Sequence, residues 1–318
     1  MPKWTKTPAE PVRISVLVFD RFSNLCLANC IEPLRAANTL SATRAFDWQI
    51  VTVDGGTVRS SSGIDVLAAT ALGQAGPADY LFVLASYEHQ RHDTPANRRL
   101  LRAAVRRTRV TVGFDTGPWL LAAAGLLGGR RATVHWDVLD AFAERFLDVE
   151  AIRARVVRDG QLLTCAGALS ALDLTLDLIA ENLGLSARLD VEALFIRDDP
   201  PEGTHDPVAD PLVRRALAMM RETVERPLPL AALARRLSCQ PRTLDRHFRV
   251  RLGAAPGTVY RHLRLATARK LIEESALSVA EIALRCGYDS PAALARAVRR
   301  TYGAAPTALR RKEGTAAG

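Results

Sequence analysis

The sequence has no uninterrupted apolar segment of 18 residues, and its first residues, MPKWTKTPAEPVR, include no apolar stretch. Neither a membrane-spanning helix nor a cleaved signal peptide is therefore expected, and we expect a cytoplasmic location without membrane contact. There are five cysteines, an odd number at wide spacings, and no His stands at metal-ligand spacing. Although Cys26 and Cys30 could share one helix face, two thiols alone do not make a zinc site. We expect reduced core cysteines, no metal and no cofactor.

Acidic residues are scarce in the C-terminal third of the 318-residue chain. Residues 211–318 carry 21 Lys or Arg against 8 Asp or Glu, a net charge of +13, whereas residues 1–210 carry 22 against 26, a net charge of −4. This asymmetry indicates that a polyanionic partner meets only the C-terminal part.

The segment RDDPPEGTHDPVADP (Arg197–Pro211) carries four prolines and no apolar periodicity, which is typical of a linker. We place the linker at 198–210. It separates a domain at 12–197 from a domain at 211–312, and tails at 1–11 and 313–318 complete the chain.

The first domain alternates strand-like apolar runs with helical patterns. The expected strands are Val12–Phe19, Trp48–Val53, Asp79–Ala85 and Arg109–Phe114. Strands that alternate with helices predict an α/β fold with a mostly parallel sheet, covered on both faces.

The second domain reads as all helix, at roughly 211–225, 229–237, 241–252, 257–274, 278–286, 291–302 and 306–312. It contains an internal repeat, because the tetrapeptide GAAP occurs at Gly253 and again at Gly303. At an offset of 50, Pro241, Leu244, Arg246 and Arg249 fall on residues of the same type, and Leu233 falls on Ala283. The match indicates a duplicated unit.

Each copy of the unit has the order short helix, tight turn, second helix. A Pro opens the second helix, where its missing N–H is not needed, and a Gly ends it. This is the helix-turn-helix pattern, and the second helix of each copy is rich in Arg. The segment between the copies, PGTVYRHLRLATARKLIEES, predicts one helix of about 30 Å. Successive major grooves lie about 34 Å apart, so both second helices could enter DNA from one monomer.

Residues from about 210 to 312 closely resemble the DNA-binding domain of AraC/XylS transcriptional regulators, through PRTLDRHFRVRLGAAPGTVYRHLRLATARKLI and VAEIALRCGYDSPAALARAVRRTYGAAPTALR. The resemblance implies that bases are contacted in the first copy by Arg242, Thr243, Asp245 and Arg246. In the second copy they are contacted by Ala292, Ala295 and Arg296. The flanking arginines, which would contact phosphates, are Arg249, Arg299 and Arg300. Because Arg can pair with guanine while Ala only touches a thymine methyl, we expect the second copy to discriminate less.

In the first domain the strand RVTVGF runs into DTGPW and then a helix, WLLAAAGLL, which predicts a sharp strand-to-helix turn at Asp115. Together with VLVFDRFS, AGLLGGRRATVHW and GQLLTCAGALSALDLTLDLI, this turn resembles the PfpI-like, class I glutamine-amidotransferase-like fold over residues 12–196. Catalytic members of that fold carry a cysteine here, activated by a His and held near a glutamate. Asp115 stands in its place and no His adjoins it in the sequence, so no catalytic residue is expected. His135 is expected to be structural.

The joining of these two folds resembles regulators of carnitine, glycine betaine and arginine use, whose ligands carry a cationic nitrogen. By that resemblance a ligand would contact the residues Asp115, Thr116, Trp119, Glu32, Trp136 and Tyr87. Asp115 would offer charge and the Trp rings π faces. Four of them have a structural alternative: Asp115 as a helix N-cap, Trp119 and Trp136 as core residues, and Glu32 as a partner of Arg35.

The sequence therefore predicts a homodimeric transcriptional regulator, an activator of catabolic genes, that binds a promoter operator, contacts RNA polymerase and responds to a small nitrogenous effector. Two alternatives remain open. The first domain could be a dimerisation scaffold without a ligand, or an amidase or hydrolase attached to a DNA-binding domain.

Overall fold

The computed structural model describes residues 3–41, 43–195 and 210–311. By their contacts they divide into two units, an α/β unit from residues 7–39 and 44–182 and a helical unit from the described parts of 1–6, 40–43 and 183–318. The predicted linker lies outside the described residues except at Asp210, and so does the predicted tail at 313–318.

The strands and helices of the described residues follow the expected alternation. The strands are β1 Val12–Val18, β2 Phe46–Thr52, β3 Val58–Arg59, β4 Asp65–Val66, β5 Thr70–Ala71, β6 Ala78–Ala85, β7 Thr108–Asp115, β8 Arg131–Ala132, β9 Glu150–Ala151, β10 Val156–Asp159 and β11 Leu162–Cys165. The helices of the α/β unit are α1 Asn24–Leu40, α2 Pro95–Val105, α3 Gly117–Ala123, α4 Leu139–Arg145 and α5 Ala168–Leu183. The helices that follow are α6 Leu185–Phe195, α7 Pro211–Glu222, α8 Leu230–Arg236, α9 Pro241–Leu252, α10 Pro256–Glu274, α11 Val279–Arg285, α12 Pro291–Tyr302 and α13 Pro306–Arg311.

The main sheet has the strand order β10-β11-β7-β6-β1-β2-β5. Its neighbours pair parallel except at the β10–β11 edge, which is antiparallel. Side chains of β6 that point to opposite faces are both buried: Val83 packs into the cluster that contains residues of α2, α3 and α4, and Phe82 is fully buried on the other face. The predicted α/β fold, with a mostly parallel sheet covered on both faces, is confirmed.

The two helix-turn-helix units are the pairs α8–α9 and α11–α12. Residues 241–250 and residues 291–300 show the same burial at every position, which confirms the duplication at an offset of 50. Both second helices begin at a Pro and end at a left-handed glycine, Gly253 with φ +66° and Gly303 with φ +72°.

The predicted register is wrong in the first helix of each unit. Leu233 corresponds to Ile282 rather than to Ala283, because the second turn is one residue longer and the offset before it is 49. Both residues are fully buried. The bonds that close the turns follow the same offset, since Cys239 N–H donates to Ala234 and Tyr288 N–H donates to Ala283.

Helix α10 joins the two helix-turn-helix units and is 19 residues long, or about 28 Å. Its Ala268 and Ile272 pack with Ile282, Leu294 and Val298 of the second unit. A continuous helix between the units fixes the spacing of α9 and α12. None of the described helices combines the length and the apolar character that a membrane crossing needs.

Candidate DNA interface and elbow site

Helix α9 presents its arginines opposite its buried stripe. Leu244, Phe248 and Leu252 recur at every fourth position and are fully buried. The side chains of Arg242 and Arg246 are exposed, and Thr243 and Asp245 are half-buried. Within the described part of the chain, no acidic side chain lies within ion-pair distance of Arg242 or Arg246. Both are therefore free to meet a polyanion.

Two of the predicted DNA contacts of α9 engage each other. Arg249 Nε donates to Asp245 Oδ2 at 2.7 Å, one helical turn apart. Both side chains are more than two-fifths exposed, so the pair contributes little to stability and can exchange for a phosphate contact. The Asp245 carboxylate can accept a hydrogen bond from cytosine N4 in the major groove.

Helix α12 repeats this arrangement with smaller side chains. Leu294 and Val298 are buried, while Arg296, Arg299 and Arg300 are exposed. Ala292 is exposed and Ala295 is half-buried. The predicted interface therefore has arginines on both helices, but only α9 adds polar groups at the other base-facing positions.

The elbow is a strand-to-helix turn between β7 and α3. Asp115 ends β7 with φ +60°, a left-handed conformation that is unfavourable for a residue with a Cβ. Thr116 then precedes α3, and its hydroxyl donates to Ser86 O at 2.8 Å. A Cβ on Gly117 would stand only 2.1 Å from Val83 O, so the close approach of α3 to β6 requires a glycine.

The Asp115 carboxylate is buried, with 8% of the residue exposed. Ser86 Oγ donates to its Oδ2 at 2.8 Å. Ser86 directly follows β6, whose last residue, Ala85, pairs with Asp115 across the sheet. Burial raises the pKa of Asp115, although the Ser86 bond and His135 act in the opposite direction. The elbow therefore holds a carboxylate that lacks full compensation for its lost hydration.

No His adjoins Asp115 in the sequence, but the fold brings His135 beside it. His135 N–H donates to Asp115 O at 2.9 Å, and the charge of its ring lowers the pKa of Asp115. His135 is half-buried, and its ring packs against Gly167. The sequence analysis missed this neighbour because it lies 20 residues beyond the elbow and returns through the fold.

Glu32 was expected to face the elbow, but in the structure it pairs with Arg35. Arg35 Nε donates to Glu32 Oε2 at 2.6 Å, and both side chains are about half exposed. Also on α1, the buried Cys26 is close enough to Asp115 to be affected by its charge. The bond with Cys30, burial and the charge of Asp115 raise the pKa of the Cys26 thiol. All five cysteines are free, as the sequence predicted.

The three aromatic candidates lie in different environments. Trp119 is 3% exposed and packs in the core, with the ring of His89 at 4.8 Å and that of Phe146 at 5.4 Å. Trp136 is 66% exposed and follows His135, and Tyr87 is 61% exposed. The core alternative therefore describes Trp119, whereas Trp136 and Tyr87 are exposed, with the Trp136 ring 5.4 Å from that of His135.

Two buried nitrogens near the elbow have no hydrogen-bond partner in the described structure, His89 Nε2 and Trp119 Nε1. Burial lowers the pKa of His89, so its ring favours the neutral form. Besides Tyr87, the segment that follows β6 thus supplies Ser86 and His89, which the sequence analysis did not name. Their position after a parallel strand was the available signal for both.

Family models match both parts of the chain. A model described as a helix-turn-helix domain matches residues 233–312, and that of the DJ-1/PfpI family matches residues 12–181. The chain is 36% identical over 300 residues to the HTH-type transcriptional regulator CdhR of Pseudomonas aeruginosa, which covers 92% of this chain and 89% of that protein. It is 35% identical over 313 residues to the HTH-type transcriptional regulator GlxA of Rhizobium meliloti. That match spans 95% of this chain and 97% of GlxA.

The fold of the α/β unit matches a solved structure. An AraC family transcriptional regulator from Pseudomonas putida superposes with a TM-score of 0.52 and 23% identity, over 58% of this chain and all of the other. The resemblance stated from the sequence is confirmed, and with it the function of a DNA-binding transcriptional regulator. The chain belongs to the HTH-type transcriptional regulators that join a DJ-1/PfpI domain to an AraC-type helix-turn-helix domain.

Proposed function

We propose that this regulator responds to a small nitrogenous metabolite, a quaternary amine or an amino acid, whose cationic nitrogen binds at the Asp115 elbow. Asp115 carries the proposal, because its carboxylate is buried. Among the described residues, the side chain that donates a hydrogen bond to it is the neutral Ser86. A cationic ligand would replace the hydration that burial removes and would favour the ionised form. The exposed rings of Trp136 and Tyr87 could cover the cation.

The elbow is a binding site rather than a catalytic one. Its position carries a carboxylate where acyl-transfer enzymes of this fold carry a thiolate, and a carboxylate is a poor nucleophile for that reaction. His135 lies beside it, but through a backbone bond and a charge rather than a side-chain bond to the carboxylate. In this proposal the first domain senses the ligand and forms the homodimer. The helical domain binds DNA and contacts RNA polymerase, and the protein acts in the cytoplasm as an activator of catabolic genes.

A thermal-shift screen tests the ligand. The intact protein is heated with glycine betaine, carnitine, dimethylglycine, choline or arginine. A ligand at 100 times its Kd adds about 2.7 kcal/mol to the stability of the domain that binds it. We expect one of these compounds to raise the melting temperature of the wild type and not that of Asp115→Asn.

Asp140→Asn supplies the matched control, since the Asp140 side chain is 88% exposed and pairs with Arg153 rather than with a residue of the elbow. A ligand shift that survives in Asp115→Asn would place the site elsewhere. No shift with any cation would favour the scaffold alternative. In that case light scattering should show a dimer whose DNA affinity does not respond to the panel.

A further inference from the structure

Asp210 begins the helical domain and caps α7. Its Oδ1 accepts the backbone N–H of Leu212 at 2.9 Å and that of Val213 at 3.3 Å. The residue is 8% exposed. This oxygen alone satisfies two of the N–H groups that a helix start leaves without partners.

The second carboxylate oxygen of Asp210 reaches the first recognition helix. His247 Nδ1 lies 2.6 Å from Oδ2, and Arg251 Nε lies 3.8 Å from it. Both partners lie on α9, one and five residues after the base-facing Arg246. Burial raises the pKa of Asp210, but the His247 bond and the two backbone N–H bonds outweigh burial and bring the pKa below its ordinary value. The carboxylate is therefore ionised at neutral pH. One side chain therefore joins the start of α7 to α9.

The second helix-turn-helix unit has no counterpart of this connection. At the offset of 50, His247 becomes Ala297 and Arg251 becomes Thr301, so neither position carries a His or Arg that could form an ion pair with a carboxylate. That unit is held instead at its turn, where Arg264 Nε donates to Cys286 O at 2.8 Å and the guanidinium lies 4.4 Å from the Tyr288 ring centre. The two recognition helices are thus fixed by different means, α9 through its own side chains and α12 through the turn before it.

We propose that Asp210 is a positioning residue for base recognition by the first recognition helix. It sets the rotation and depth of α9 through His247, so that Arg242 and Arg246 meet base edges in one geometry. Recognition by α12 does not depend on it. Since Asp210 is also the N-cap of α7, the test must preserve the cap while it removes the connection.

Asp210→Asn and Asp210→Ser meet this condition, because Asn and Ser are strong N-caps but carry no charge for His247 and Arg251. An operator is first selected from random DNA with the intact wild-type protein. Base pairs whose discrimination is relaxed by Arg242→Ala or Arg246→Ala are assigned to the first unit, and those relaxed by Arg296→Ala to the second. Competition with single-base operator variants then gives the discrimination of each variant.

The expected result is a roughly tenfold loss of discrimination at first-unit base pairs and none at second-unit base pairs, with an unchanged dependence of affinity on salt. Ser278→Asn, which replaces one strong N-cap with another at the start of α11, is the matched control and should leave both units as in the wild type. A loss spread equally over both units, or wild-type discrimination throughout, would overturn the proposal.

His247→Gln provides a second variant that leaves the cap of α7 intact. It should reproduce the first-unit loss, and combined with Asp210→Asn it should add little, because both substitutions break one connection. Fully additive losses would show that Asp210 and His247 act independently, which contradicts the proposal. Should the Asp210 variants fail to fold, the effect of His247→Gln on the first unit decides the question alone.

Discussion

Arg246 of α9 and Arg296 of α12 stand 50 residues apart and occupy the same exposed position of two helices with matching burial. Their neighbours differ. Arg246 follows Asp245, a hydrogen-bond acceptor, whereas Arg296 follows Ala295. The duplicated unit therefore gives two helices of one geometry and unequal capacity to read bases.

Arg246→Ala should weaken operator binding by about 1–3 kcal/mol and relax the preference for one base pair, because a bidentate contact to guanine is lost. Arg296→Ala should cost less and act more evenly across sequences. Titration of the intact protein with operator variants measures both, with Arg44→Ala in the α/β unit as the control. An unchanged base preference in Arg246→Ala would remove this residue from the readers.

Gly117→Ala should destabilise the α/β unit by about 1–3 kcal/mol or more, since a Cβ would stand 2.1 Å from the carbonyl oxygen of Val83. The matched control is Gly76→Ala, where an added Cβ meets no atom within 4 Å. Chemical denaturation compares the two variants with the wild type. Equal stability of the two variants would show that α3 does not approach β6 as closely as described.

Asp115→Asn should raise the melting temperature at neutral pH in the absence of ligand. Burial raises the pKa of Asp115, so its stabilising contribution is complete below the unfolded value, about 4, and is lost as the pH rises through the folded value. Asn has no charge to desolvate and can still accept from Ser86. The advantage should vanish below about pH 4, and a variant less stable than the wild type at pH 7 would contradict this reasoning.

The His262–Asp190 pair should make the stability of the helical unit depend on pH. His262 Nε2 lies 2.8 Å from Asp190 Oδ1. Burial lowers the pKa of His262, but the charge of Asp190, the hydrogen bond to Asp190 and a hydrogen bond to the Ser186 backbone raise it overall. The contribution is therefore complete below about pH 6.5 and is lost as the pH rises through the folded pKa.

Thermal unfolding between about pH 5.5 and pH 9 measures this dependence. His262→Gln should flatten the profile, and Asp190→Asn should do the same because it removes the charge that holds the proton. A slope that persists in both variants would assign the pH dependence to other groups.

The helical domain was predictable because its signals are local. Pro241 and Pro291 open helices, Gly253 and Gly303 end them, and each unit carries its own apolar stripe. The one error, the pairing of Leu233 with Ala283, came from assuming turns of equal length. A turn that gains one residue changes the register on one side only, and no composition signal marks it.

The elbow was predictable as a turn but not as a site. Asp115 stands where a buried strand meets a helix, and that order is visible in the sequence. Ser86, His135 and Cys26 come from three other segments of the chain. The pairing of β6 with β7 brings Ser86 to Asp115, and a backbone bond from the loop after β8 brings His135 to it. Glu32 illustrates the converse, because a local partner three residues away, Arg35, holds a side chain that the family resemblance directed to the elbow.

A hydroxyl-radical footprint of the intact protein on its selected operator tests the central claim most directly. We predict that each bound protomer protects two segments on one face of the duplex, about one helical turn apart, because α10 holds α9 and α12 at the spacing of successive major grooves. Arg246→Ala should weaken the first segment and leave the second. A single protected segment, or equal weakening of both, would contradict the account of two helices that read adjacent grooves from one chain.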